Sequence, residues 1–252
     1  MRYLFPFKRK EFINWYSELG KLKIFWAKPV KGAEWINDKE KRLLRIVWRI
    51  RNKEQAGVIL FLKEWDKKSF NTFLNEFRGN VRIVWTLDNI PDEYVHAKSY
   101  VWFWKVENMP LRIGNRYVYI KLYPTWTDND LEAFRTVHKE SWGFFIPPRE
   151  GEHMVITANF DEKPVGMAYV NLRNFNIDYG VHVIKSEWRK GIGTRILAEC
   201  FKMAEENDKE ILTCVRVLRS IKGTSADKRA VRFYESIGNP LRINVVKIKE
   251  SL

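Results

Sequence analysis

One short segment, Arg189-Lys190-Gly191-Ile192-Gly193-Thr194, constrains this chain more than any other. After it, Ile192, Ile196, Leu197, Cys200, Phe201 and Ala204 recur at helical spacing, so a helix from about Gly191 to Asn207 presents one apolar stripe to a core. Before it, Asn176 to Lys185 has strand character. A strand that turns into a helix through two glycines leaves unpaired amides at the helix start. The positive end of the helix dipole lies behind them, and Arg189, Lys190 and Arg195 lie beside them. Such a helix start suits a phosphate or pyrophosphate, although a plain strand-to-helix turn uses the same letters. Two familiar nucleotide loops are excluded. The Gly-Lys-Ser/Thr ending of the P-loop is missing, and Ile196 stands where the dinucleotide fingerprint needs a third Gly or Ala.

The segment belongs to a regular series. Tyr117 to Leu122 reads as a strand, and Thr127 or Asp128 caps a helix whose inner face is Leu131, Phe134 and Val137. Strands follow at Met154 to Asn159, Val165 to Leu172 and Asn176 to Lys185. Beyond the long helix come a strand at Ile211 to Leu218, a helix at Asp227 to Ile237 and a strand at Leu241 to Ile248. Within this series, Ile184-Lys-Ser-Glu-Trp188-Arg189-Lys190-Gly191-Ile192-Gly193-Thr194 is similar to the GNAT signature Val-x-Pro-Glu-Trp-Arg-Gly-Lys-Gly-Ile-Gly-Thr. Asp227-Lys-Arg-Ala230-Val-Arg-Phe233-Tyr234-Glu-Ser-Ile-Gly238 resembles the GNAT pattern Asn-x-x-Ala-x-x-Phe-Tyr-x-x-x-Gly-Phe. There are three departures. The loop is one residue short between Arg189 and Lys190, Asp227 replaces Asn, and Asn239 replaces the final Phe.

The resemblance implies an α+β fold over 116–252, a mixed and largely antiparallel sheet flanked by helices. It implies transfer of acetyl from acetyl-coenzyme A to a primary amine by direct attack, with no metal. It implies that the coenzyme's phosphates meet Arg189, Lys190, Gly191, Ile192, Gly193, Thr194 and Arg195. The pantetheine arm would pair with the backbone of His182, Val183 and Ile184, an amide near Ile184 polarising the acetyl carbonyl. Phe233 and Asp227 would border the coenzyme, Asp227 also being suited to cap its helix. Tyr234 is the candidate general acid for the leaving thiolate. Asp178 is the candidate base, with His182, on the same strand face, or a water chain as alternatives. The acceptor stays open among small amines, protein amines and tRNA-linked amines, and a homodimer is compatible with the family.

The front part has another character. Glu11 to Leu19 reads as a helix, Leu22 to Ala27 and Val58 to Leu62 as strands, and Asn52 to Gly57 as a turn. Leu44, Ile46, Trp48 and Ile50 alternate with Arg45, Val47, Arg49 and Arg51, a strand with one apolar and one largely basic face. Phe70, Phe73, Leu74 and Phe77 mark a helix, and Val81 to Trp85 and Tyr100 to Lys105 are strands. With a linker at Glu107 to Asn115, the reading is a basic, Trp-rich α+β domain over 1–115 followed by the second domain over 116–252. Residues 1–115 hold 23 Lys and Arg against 13 Asp and Glu, so most of the net +14 lies there. That field suits an acidic partner. It also supports a rival reading, a coenzyme A sensor or scaffold whose front half binds nucleic acid. No apolar run reaches a membrane span and no cleavable leader is evident, so a cytoplasmic protein with no membrane partner is expected. The two cysteines, Cys200 and Cys214, lack a metal-binding spacing and read as buried apolar residues.

Overall fold

The computed structural model describes residues 10–12, 14–15, 27–29, 34–36, 43–50, 53–108 and 114–250. Side chains at 27–29, 48–50, 53 and 108 lie outside that description. So do the expected strand from Leu22 and most of the expected linker. The chain is α+β and folds as two compact units. One comprises 1–102, 216–233 and 241–252, the other 103–215 and 234–240.

In the first unit, β1 (Ala27–Pro29) and β2 (Glu34–Trp35) both pair antiparallel with β3 (Leu43–Ile50), which pairs antiparallel with β4 (Lys53–Leu62). The expected turn at Asn52 to Gly57 is therefore mostly strand, since Ile50 is already opposite Lys53. The chain then crosses through α1 (Lys67–Glu76) to β5 (Val81–Thr86), parallel to β4. β6 (Val95–Lys105) follows and takes in the strand expected at Tyr100 to Lys105, and the last strand, β12 (Leu241–Ile248), pairs antiparallel with β5. β3 alternates as expected. Leu44 and Ile46 are buried while Arg45 is exposed beside Glu34, and the Arg49 and Arg51 side chains lie outside the described residues. Phe70, Phe73 and Phe77 of the α1 region pack on Val58, Leu60, Leu62 and Val84. Trp15 and Trp85 pack edge-on in a separate aromatic cluster with Phe12 and Phe61, and Trp102 is buried; these are core residues.

In the second unit the sheet order is β7 (Tyr119–Tyr123), β8 (His153–Phe160), β9 (Lys163–Asn171), β10 (Asn176–Val183) and β11 (Ile211–Val217). Neighbours are antiparallel except β10 and β11, which run parallel around the crossover helix α3 (Ile192–Glu206). α2 (Asp128–Trp142) begins at Thr127, whose hydroxyl accepts from Asp130 N–H while Asp130 reaches back to Thr127 N–H, and it ends at Gly143 in the left-handed conformation. The whole stripe expected on α3 is buried, joined by Met203. Cys200 and Cys214 are both buried, and burial pushes the Cys200 thiol up. The final helix is α4 (Ser225–Glu235). Among the described residues no helix is long and apolar enough to cross a membrane.

Both units contain the same strand-helix-strand crossover, and the helix starts differ. Asp66 caps α1 with its own carboxylate, accepting from Lys68 N–H, Ser69 N–H and the Ser69 hydroxyl, which holds its carboxyl below the usual carboxylate range. At α3 the cap is Gly191, at φ 76°, and no side chain hydrogen-bonds into the cap. The positive end of α1 is closed by a built-in anion, whereas that of α3 has no side-chain cap.

Candidate active site

β10 carries the centre of the site and is irregular there. Pairing with β9 shifts between Asp178 and His182, adding two residues to β10. Tyr179 (φ 66°) and Gly180 (φ 88°) take up the extra length in the left-handed region, where a tyrosine is strained. Pairing with β11 is confined to Asn176 and Ile177, so β10 runs on without that neighbour. Tyr234 fills the position the bulge makes. Its hydroxyl accepts from Val181 N–H at 2.8 Å, its ring packs beside Trp104, and it is 1% exposed. A Cβ at residue 180 would stand 2.7 Å from the Tyr234 Oη, so glycine is required by space as well as by φ.

Asp178 is 1% exposed and held on both oxygens. Asn176 Nδ2 donates to its Oδ1 at 2.6 Å, and Thr213 donates in turn to Asn176. The other oxygen faces His153 Nε2 at 2.9 Å. Because His153 Nδ1 accepts from Arg149 N–H at 3.0 Å, its ring proton is on Nε2 and is donated to Asp178.

His182 lies in a second network. Ile146 N–H donates to His138 Nδ1 at 3.2 Å, which places the His138 proton on Nε2, 3.0 Å from His182 Nε2. Burial holds the His138 imidazole down to about 4, so it is neutral at physiological pH. His182 Nε2 must then accept, and its own proton is on Nδ1, directed at Ser141 Oγ at 3.2 Å. Ser141, His182 and His138 have the outline of a nucleophile triad, but the proton runs towards the serine, the reverse of what its activation needs. Tyr169 packs against both His138 and His153, and Trp142 packs against His182. The sequence reading did not single out His138 or His153. His138 sits four residues after Phe134 on the inward stripe of α2, and that spacing was the available signal. Nothing local marks His153.

The loop residues lie together at the start of α3. Arg189 and Lys190 are exposed, Ile192 is buried, and Gly193, Thr194 and Arg195 are half-buried. Arg189, next to the place where the related signature has its extra glycine, adopts φ 64°, a left-handed conformation that strains a residue with a side chain. Lys190 pairs with Glu187 at 3.0 Å in solvent. Just after β10, Ile184 N–H donates to Val165 O at 3.0 Å and so extends the pairing with β9. Backbone alternation turns Val181 and Val183 towards the opposite edge, and the Val183 carbonyl there accepts from Trp188 Nε1 at 2.8 Å. Asp227 is buried at the start of α4. One oxygen takes the Arg216 guanidinium, and the other takes Thr224 N–H, its hydroxyl and Arg219 N–H. Burial opposes its charge, yet the Thr224 hydrogen bonds and Arg216 hold its carboxyl below the usual range. Phe233 is half-buried on the same helix. Among the described residues no three His, Cys, Asp or Glu side chains group to hold a metal.

Residues 117–238 match the model of the acetyltransferase (GNAT) family. No curated protein matches the chain. A GCN5-related N-acetyltransferase from Kribbella flavida is similar in structure, with TM-score 0.50 and 10% identity over 95% of this chain and 94% of that one. A GCN5-related N-acetyltransferase from Sphaerobacter thermophilus has TM-score 0.46 and 13% identity over 85% of this chain and 80% of that one. The Kribbella likeness is one of fold, and it takes in the front part of the chain as well as the back.

Proposed function

We propose, on the premise that residues 117–238 are a domain of the acetyltransferase (GNAT) family, that this chain transfers an acetyl group from acetyl-coenzyme A to an amine. The observation that carries the reading is the open, glycine-capped start of α3 beside the interrupted strand β10, with the Tyr234 hydroxyl at the interruption. The coenzyme supplies an acetyl group activated as a thioester. The amides of Gly191 to Thr194 are suited to its pyrophosphate, and the side of β10 turned away from β9, at the Val181 carbonyl and the Val183 N–H, to its pantetheine arm. The amine nitrogen bonds to the acetyl carbon as the carbon–sulfur bond breaks, and the sulfur takes its proton from Tyr234, which solvent reprotonates.

The amine must also lose a proton. Asp178 and His182 are each engaged in a buried network, and His182 has its acceptor nitrogen already bonded. Their geometry favours holding β10 in shape over taking a proton, so the acceptor amine enters unprotonated or loses its proton to water. An α-amine, with a pKa of about 8, meets that condition far more readily than a lysine side chain at about 10.4. The basic first unit is proposed to favour an acidic acceptor or one carried on a macromolecule.

Calorimetric titration of acetyl-coenzyme A into the wild type and Gly191→Val tests the site. Gly191 lies at φ 76°, and a Cβ there would come 3.1 Å from Asn115 N, so valine both strains the turn and pushes on the neighbouring chain. Affinity is expected to fall more than about tenfold, a loss of roughly 1.4 kcal/mol or more. Equal affinity in the two proteins rejects this loop as the coenzyme site.

A further inference from the structure

The segment just before β7 lies against the start of α3 in a way the chemistry above leaves unused. Asn115 Nδ2 donates to Lys190 O at 2.8 Å, and Asn115 N–H donates to Gly191 O at 3.2 Å. Its Oδ1 accepts from Tyr117 N–H at 2.8 Å, which fixes the side chain. Gly114, at φ 77°, makes the approach possible, because a Cβ there would meet Gly191 O and Arg195 N at 2.6 Å.

These bonds fix more than the carbonyls they touch. In a planar trans peptide the N–H points opposite to the C=O. Holding Lys190 C=O towards Asn115 therefore turns Gly191 N–H away from it, whereas Gly191 C=O, and with it Ile192 N–H, is also held by Arg195 N–H at 3.0 Å in the first turn of α3. Those are the first amides of the open helix start. The loop has two left-handed residues, Arg189 and Gly191, and no side-chain cap of its own. The Lys190–Gly191 peptide precedes the first helical hydrogen bond, and the Asn115 side chain is what braces it.

We infer that Asn115 is a positioning residue for coenzyme binding, its side chain aiming the Gly191 amide at the pyrophosphate; this rests on the reading that the loop 189–194 receives those phosphates. Its action is on the phosphates alone, so a donor that lacks them is unaffected by its loss.

The test compares coenzyme A, titrated by calorimetry, with S-acetylpantetheine, titrated by NMR, on the full chain. Asn115→Ala removes both side-chain bonds. Asn115→Ser keeps a hydroxyl acceptor for Tyr117 N–H but is too short to reach Lys190 O, and it serves also if the alanine variant does not fold. Both variants are expected to raise the Kd for coenzyme A about tenfold while leaving that for S-acetylpantetheine within about twofold of wild type. Unchanged coenzyme A affinity in Asn115→Ser overturns the inference. An equal loss for both compounds also overturns it, because it assigns Asn115 a general structural role. A wild type that binds neither compound rejects the coenzyme site itself, a distinct result.

Discussion

Replacing Tyr234 by Phe should lower kcat by about 10²-fold or more, the scale of a lost general acid, with any amine that supports turnover. The ring fills the same space beside Trp104, so packing and coenzyme affinity should change little. The hydroxyl also accepts the Val181 N–H, however, and phenylalanine leaves that partly buried amide without this acceptor. A stability loss of roughly 1–3 kcal/mol should accompany the loss of rate. Measuring both separates two roles. A lowered melting temperature with normal kcat, where chemistry is rate-limiting, leaves Tyr234 as a strand support only.

The second large effect concerns stability. Asp178→Ala should destabilise the protein by about 2–5 kcal/mol, because His153 Nε2–H and Asn176 Nδ2 lose their acceptor in a site closed to water. Asp178→Asn keeps the shape but sets an amide N–H against one of the two donors, so a smaller loss in the same direction is expected. Denaturant midpoints report it. The alternative role makes the opposite forecast: a general base replaced by its isosteric amide loses kcat with the fold intact. Asp178→Asn that melts like wild type while turnover collapses would restore Asp178 as the base.

Much of the chain from Tyr117 onward could be read from local letters. The α3 stripe, the Thr127 cap and the span of β12 follow from periodicity and capping, which act over a few residues. What the sequence withheld is non-local. Leu241 to Ile248 is an apolar strand whichever neighbour it takes, and nothing in its residues selects β5. The strand-helix-strand crossover that occurs in both units leaves no common letters, because Asp66 closes one helix start and glycine stands at the other. In the site, the loop and Tyr234 stand in recognisable patterns, whereas the partners of Asp178 and His182 come from β8 and α2, 25 and 44 residues away. Gly180 within a strand pattern was the one local sign of the bulge.

The central claim is that this chain joins an acetyl group to an amine. Incubating the wild type with acetyl-coenzyme A and a panel of amines, from amino acid and peptide α-amines to lysine side chains, tests it directly. Free thiol and acetylated product are counted together, by a thiol reagent and by mass spectrometry. The account predicts thiol release stimulated by at least one amine, one amide formed for each thiol, and faster transfer to α-amines than to lysine at neutral pH. Tight binding of acetyl-coenzyme A with no amine-stimulated release across the panel, and no acetylated product, would contradict it.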